Sequence, residues 1–177
     1  AAPTMLATKG YGVITTATLL ISAGDNPDRL RTEASFAALC GAAPIPASSG
    51  KTTRHRLNRG GDRQGNWALH QIALVRLSTD TRTKTYAAKL RAAGKSKKDV
   101  LRCLKRAIAR EAWHLLVHPT PAPRTDDLRT LRHQRGLTLT QVAQHLSTAP
   151  TRISELERGT RPDILLSNAY REYLTAA

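Results

Sequence analysis

The chain is 177 residues long and carries 28 Lys and Arg against 13 Asp and Glu, a net charge of +15. An excess of that size points to phosphate backbones as the partner, bound in a salt-sensitive and sequence-independent way. No apolar run approaches the roughly 20 residues of a bilayer span and no secretory segment opens the chain, so the sequence predicts a cytoplasmic protein without a membrane partner.

The charge is uneven. Residues 1–124 hold 21 Lys and Arg against 7 Asp and Glu, and residues 125–177 hold 7 against 6, which leaves +14 and +1. Cys40 and Cys103 are isolated thiols in apolar helical contexts, which predicts two reduced core residues, and no metal-ligand spacing is present.

In chain order, Met5 to Val13 lead through Gly10-Tyr11-Gly12 into Ile14, Ala17, Leu19 and Leu20. Two glycines one residue apart allow a tight hairpin between helices, whose amides hold a DNA phosphate in a helix-hairpin-helix or simply permit close packing. Thr32 caps a helix through Phe36, Ala37 and Leu39 that Gly41 closes.

The loop from Pro44 to Arg63 sets Ser48, Ser49 and Gly50 before Lys51, Arg54, His55, Arg56 and Arg59. A nucleotide-binding P-loop fails here, because Ile45 stands where its first glycine belongs. Two readings stay open. One is a serine nucleophile whose scissile phosphate Lys51, Arg54, Arg56 and Arg59 hold; the other, favoured by the residues alone, is a phosphate-binding loop to which Arg63 adds a further contact.

Arg63 to Ser78 is apolar nearly all round and predicts a central buried helix. Thr81 to Ala93 is more polar, with Tyr86 and Leu90 expected to face inward. Ser96 and Asp99 frame a capping pair, after which Val100, Leu104, Ala107, Ile108, Ala112 and Leu115 recur at helical spacing. Lys97, Lys98, Arg102, Lys105, Arg106 and Arg110 occupy its other faces, as a phosphate tracker or a solvated charged face. The alternating prolines of residues 118–125 predict a stiff linker, which divides a basic domain at 1–117 from a small all-α domain at 126–177.

Thr138 and Gln141 form a capping box, Val142, Ala143 and Leu146 fall on a buried face, Ser147 to Ala149 turn the chain, and Pro150 opens a second helix with Ile153 and Leu156 inside. Gly159 stops it. In such a helix-turn-helix the start of the second helix enters the major groove, which places Thr151, Arg152 and Glu155 against base edges or phosphates and Gln141 beside them. Residues 128–173 resemble the Cro and lambda-repressor class at Leu128, Leu131, Arg132 and Arg135-Gly136-Leu137-Thr138, at Val142-Ala143, and at Ile153-Ser154 with Leu156-Glu157-Arg158-Gly159. Leu139 replaces a phosphate-binding Gln common in that class, and Ala149 a capping Ser.

Residues 5–117 resemble the serine-bearing C-terminal domain of insertion-sequence transposases that pair it with a RuvC-like nuclease domain, the bridge-RNA-guided recombinases. The resemblance rests on Gly10-Tyr11-Gly12, Ala17-Thr18-Leu19-Leu20, Gly24-Asp25, Arg29-Leu30-Arg31, Phe36 to Pro44, the Ser-Gly loop and Arg59-Gly60-Gly61-Asp62-Arg63. It implies a phosphoserine link to DNA through Ser49, with Ser48 the alternate, and Mg²⁺ held by acidic residues of a nuclease domain that these residues do not include. It also implies DNA and a guide RNA as partners, with a RuvC-like domain or further copies of the chain. The expectation is a mainly α DNA-binding piece of a transposase, without a cofactor of its own and inert alone. A Cro-type transcriptional regulator and an RNA-binding module are the alternatives.

Overall fold

Three carbonyls at the end of one short helix organise the first half of the molecule. The computed structural model describes residues 2–24, 30–48, 50–51, 55–56, 58–119, 121 and 123–176. Helix α1 is Ala2–Ala7, α2 Val13–Ala23 and α3 Glu33–Leu39. Thr32 caps α3, its hydroxyl accepting the Ser35 amide at 3.1 Å. At the other end the Asn58 side chain donates to Ala38 O at 3.4 Å, the Asp62 amide to Leu39 O at 2.6 Å, and the Asn66 side chain to Cys40 O at 2.7 Å. These bonds satisfy carbonyls a helix end leaves orphaned. They also tie the returning loop to α3.

Between those anchors run β1 (Ile45–Pro46) and β2 (His55–Arg56), antiparallel with Ile45 opposite Arg56 and Pro46 opposite His55. Gly61 permits the return: a Cβ there would collide with the backbone N and Cα of Gly41 and reach 2.9 Å from Leu39 O. Asp62 then caps α4 (Arg63–Thr79) through the amides of Gln64 at 2.9 Å and Gly65 at 3.3 Å, and the Ser22 hydroxyl of α2 donates to the same carboxylate. The Ser22 hydroxyl does most to hold the Asp62 carboxyl below its usual value.

Helices α5 (Thr81–Ala92) and α6 (Lys97–Val117) complete this half. Its core joins Met5, Leu19, Phe36, Leu69, Ile72, Leu104 and Ile108, with Cys40 fully buried and its thiol pushed up to about 12 by desolvation. Helix α4 is less enclosed than its sequence predicts: Ala68, Leu69, Ile72 and Ala73 are buried, but Trp67, Leu74 and Val75 are more than two-fifths exposed. Helices α2, α5 and α6 pack against it without covering it all round. Tyr86 also departs from its inward assignment and is 41% exposed, because α5 turns Thr83 and Ala87 to the core instead.

A second, separate core follows the linker. It comprises α7 (Leu128–Gln134), α8 (Leu139–His145), α9 (Pro150–Glu157) and α10 (Ile164–Thr175) around Leu128, Val142, Ile153, Leu156, Tyr170 and Leu174. The Thr138 and Gln141 capping box forms as the sequence predicts. Ser147 turns the chain after α8 with a φ of 49°. The molecule is mainly α: among the described residues the two-residue ribbon is the sole sheet.

Candidate nucleic-acid interface

The ribbon β1–β2 carries the serine doublet between its strands. Ser48, Gly50 and Lys51 are exposed, as are Arg56, Arg59 and Arg63 on the returning side. Ser49 and Arg54, the expected nucleophile and one of the cations expected around its phosphate, lie outside the described residues. The ribbon therefore displays cations to solvent on a stem tied to α3 and Asp62, a disposition suited to a phosphate backbone.

The Gly10-Tyr11-Gly12 turn shows internal work. Gly10 has φ 91° and a Cβ there would stand 2.8 Å from Cγ of Arg76. Arg76 donates to Lys9 O at 2.8 Å and pairs with Glu111. The Gly12 amide donates to Thr15 Oγ1 at 2.9 Å. Close approach to Arg76 thus accounts for Gly10, the packing alternative of the sequence analysis, and the Gly12 N–H, one of the amides considered for a DNA phosphate, is engaged within the chain.

In the second core, the exposed start of α9 presents Pro150 and Thr151. Arg152, expected at base edges or phosphates, is engaged within the chain here. Its side chain is 17% exposed and spans back along the chain, Nη1 donating to Arg161 O at 2.6 Å and Nη2 pairing with Asp163 at 3.2 Å. Glu155 stands 3.6 Å from both Arg152 and Arg161. The arginine braces the turn into α10, and the carboxylates of Glu155 and Asp163 draw it there. Gln141 is exposed, but its carbonyl oxygen accepts the Thr138 amide at 2.8 Å.

Sequence reasoning passed over Arg161, whose side chain is 71% exposed beside the same turn. The one available signal was its position two residues past Gly159, where the chain leaves α9. Beneath this surface the Arg132 guanidinium, 7% exposed, forks onto Glu157, 4% exposed, at 2.7 and 3.1 Å. Arg132 also donates to Leu137 O at 3.0 Å, and the Tyr170 hydroxyl to Glu157 at 2.7 Å. Burial pushes the Glu157 carboxyl up, but the bonds from Arg132 and Tyr170 outweigh it and hold the group below its usual value. Both residues belong to the sequence pattern that prompted the helix-turn-helix expectation, and their visible role is to lock α7, α9 and α10 together.

Among the described residues, no group of three or more His, Cys, Asp or Glu side chains is placed to hold a metal ion, and no helix is long and apolar enough to cross a membrane.

Known proteins align with both halves. Residues 3–88 match the model of the Transposase IS116/IS110/IS902 family, and residues 126–167 match a helix-turn-helix domain. The chain is 34% identical over 105 residues to an insertion element IS110 uncharacterized 43.6 kDa protein from Streptomyces coelicolor. That alignment covers 59% of this chain and 26% of the relative, so the chain spans about a quarter of the protein it matches.

Proposed function

We propose that this chain is a DNA-binding part of an insertion-element transposase, in which the basic half holds the strand and the helix-turn-helix supplies sequence preference. The supporting observation is the ribbon, which lies inside the transposase-like segment and carries a serine doublet beside exposed Lys51, Arg56, Arg59 and Arg63. The nucleophile in this reading is Ser49, with Ser48 its alternate. In the reaction the serine Oγ bonds to phosphorus, the bond from phosphorus to a bridging sugar oxygen breaks, and the serine proton passes to a base or to that departing oxygen. Cations around the phosphate stabilise the charge that grows on its oxygens. His55 on β2 is the neighbouring side chain able to take a proton; among the described residues no group of three or more His, Cys, Asp or Glu is placed to hold the Mg²⁺ that the resemblance implies, and no step here runs through it.

The isolated chain is accordingly a binder that needs a RuvC-like nuclease domain and guide RNA to react. The test is a denaturing gel that traps covalent protein–DNA adduct after the chain is combined with such a domain, its RNA, Mg²⁺ and cognate DNA. Adduct lost in Ser49→Ala, with binding intact, supports the assignment; loss in Ser48→Ala alone moves it by one residue. Adduct that survives both substitutions refutes the serine. DNA binding by the full chain with no adduct under any of these conditions would leave the repressor-type regulator, which the complete helix-turn-helix core favours.

A further inference from the structure

A cleft of about 430 Å³ opens between α5, α6, the turn after α3 and the stem of the ribbon. Its size falls in the range of about 300–1,000 Å³ typical of ligand sites. Arg56, Lys95, Arg102, Lys105, Arg106 and Arg110 line it, with Asp99 the one carboxylate among the lining residues. Tyr86 forms part of the wall and is 41% exposed, an aromatic surface available to a flat partner.

The cations are held in place. Lys105 donates to Asn66 Oδ1 at 2.8 Å, and Asn66 is itself fixed on Cys40 O at 2.7 Å. Arg102, Arg106 and Arg110 stand one helical turn apart, a row of about 12 Å along α6. Asp99 steadies the first at 2.8 Å, and Glu33 the second at 3.2 Å together with the third. Arg106 nevertheless keeps a buried Nη1 with no hydrogen-bond partner among the described residues. A buried guanidinium N–H without an acceptor is costly, and the side chain, 26% exposed, can turn its guanidinium to a ligand oxygen that relieves it. Desolvation first, and the neighbouring Arg102 second, hold the Lys105 ammonium below its usual value, an environment an anion relieves.

We propose that this cleft seats one nucleotide of a single-stranded nucleic acid, with its phosphate against Lys105 and Arg106 and its base stacked on Tyr86. The assignment rests on the nucleic-acid-binding reading above and deepens it. Its chemistry is specific to an unpaired strand: a duplex keeps its base faces stacked inside and offers proteins its grooves and phosphates, whereas a single strand offers a base face to an aromatic side chain while cations follow its backbone. Arg56 belongs both to the cleft wall and to the ribbon, so a strand leaving the cleft continues onto the exposed cations beside the serine doublet.

The test is fluorescence anisotropy of the full chain with labelled eight-nucleotide oligo-dT and oligo-U and with a DNA duplex. Tyr86 lies outside the buried core, so Tyr86→Leu should keep the fold, which circular dichroism checks, and should weaken single-strand binding about 5- to 150-fold. Lys105→Gln should weaken it too and reduce the salt slope by about 0.7, the share of one phosphate contact. Duplex binding should be unchanged in both. A strand carrying 5-iodouracil should photo-crosslink to the peptide containing Tyr86. Tighter binding of either oligo-dT or oligo-U supports the cleft and identifies the strand as DNA or RNA. Duplex binding with single-strand affinity that neither variant moves, or with no single-strand binding at all, overturns the cleft and spares the DNA-binding reading. Failure of the folded wild-type chain to bind any of the three overturns both.

Discussion

Replacing Glu157 by Gln isolates the buried fork in the helix-turn-helix core. The amide keeps the carboxylate's shape and can still accept from Tyr170, but it leaves the Arg132 guanidinium, 7% exposed, without a counter-charge. Removing one partner of a buried ion pair costs about 3–5 kcal/mol, because the remaining charge stays desolvated. A unit of about 50 residues has roughly 2.5–7.5 kcal/mol of stability at 0.05–0.15 kcal/mol per residue. The single substitution therefore consumes most of the margin. Hydrogen exchange with mass spectrometry on the full chain reads it locally: amides of residues 128–174 should exchange faster by about two to three and a half orders of magnitude, while those of α4 and α6 keep their protection. Substituting Arg132→Met, Glu157→Leu and Tyr170→Phe together should restore most of the loss, since an apolar replacement strands no charge. Unchanged exchange in Glu157→Gln would refute the reasoning, for it would mean that water already reaches the guanidinium.

The same carboxyl sets an acid limit: its folded value lies below the usual value of about 4.3, so its contribution is complete above that value and is lost as pH falls through the folded one. Thermal melts of the second core should be flat from about pH 6 to 8 and decline below about pH 4; a decline on the alkaline side instead would contradict the sign. Gly61→Ala should destabilise the first core by about 1–3 kcal/mol through its collision with the Gly41 backbone, whereas Gly60→Ala, whose nearest contact would be Asn58 Oδ1 at 3.6 Å, should be tolerated in the same urea titration. Replacing Lys51, Arg56, Arg59 and Arg63 with Gln should flatten the salt dependence of duplex binding by up to about 3.6 in log–log slope, and an unchanged slope would remove the ribbon from the interface. Arg152→Ala should cost about 1.5–3 kcal/mol of stability and weaken binding similarly at every site variant; a loss confined to one base pair in a binding-site scan would show that Arg152 leaves its brace to read a base.

What the sequence made legible was governed by local chemistry. Thr32, Ser96 and Thr138 are legible as caps because a hydroxyl three residues before an amide is a short-range fact, and all three bonds form. Pro150 and Gly159 likewise bound α9 where the chain itself dictates. The departures arise from tertiary competition for side chains. Trp67 and Tyr86 fit an inward pattern on paper, but only neighbouring helices decide which face is covered, and theirs were left partly open. Arg152 sits at a helical position expected to face DNA, yet two carboxylates and a carbonyl gather around it from residues 155–163, and these acceptors engage it within the chain.

That competition bears on how the two halves divide the work. Residues 125–177 are nearly neutral, and the arginines there are largely committed: Arg132 to Glu157, Arg152 to Asp163, and Arg171 to Asp127 at 2.6 Å. A helix-turn-helix whose cations hold its own frame has little left for phosphates, so affinity must come from elsewhere. In the reading proposed above the +14 half supplies it from the ribbon, where Lys51, Arg56, Arg59 and Arg63 stand exposed. Counterion release favours such a surface on any strand, without regard to sequence. On that same proposed reading, selection among sites falls to the exposed Thr151 and Arg161, and the second half discriminates among DNA sites that the first half captures.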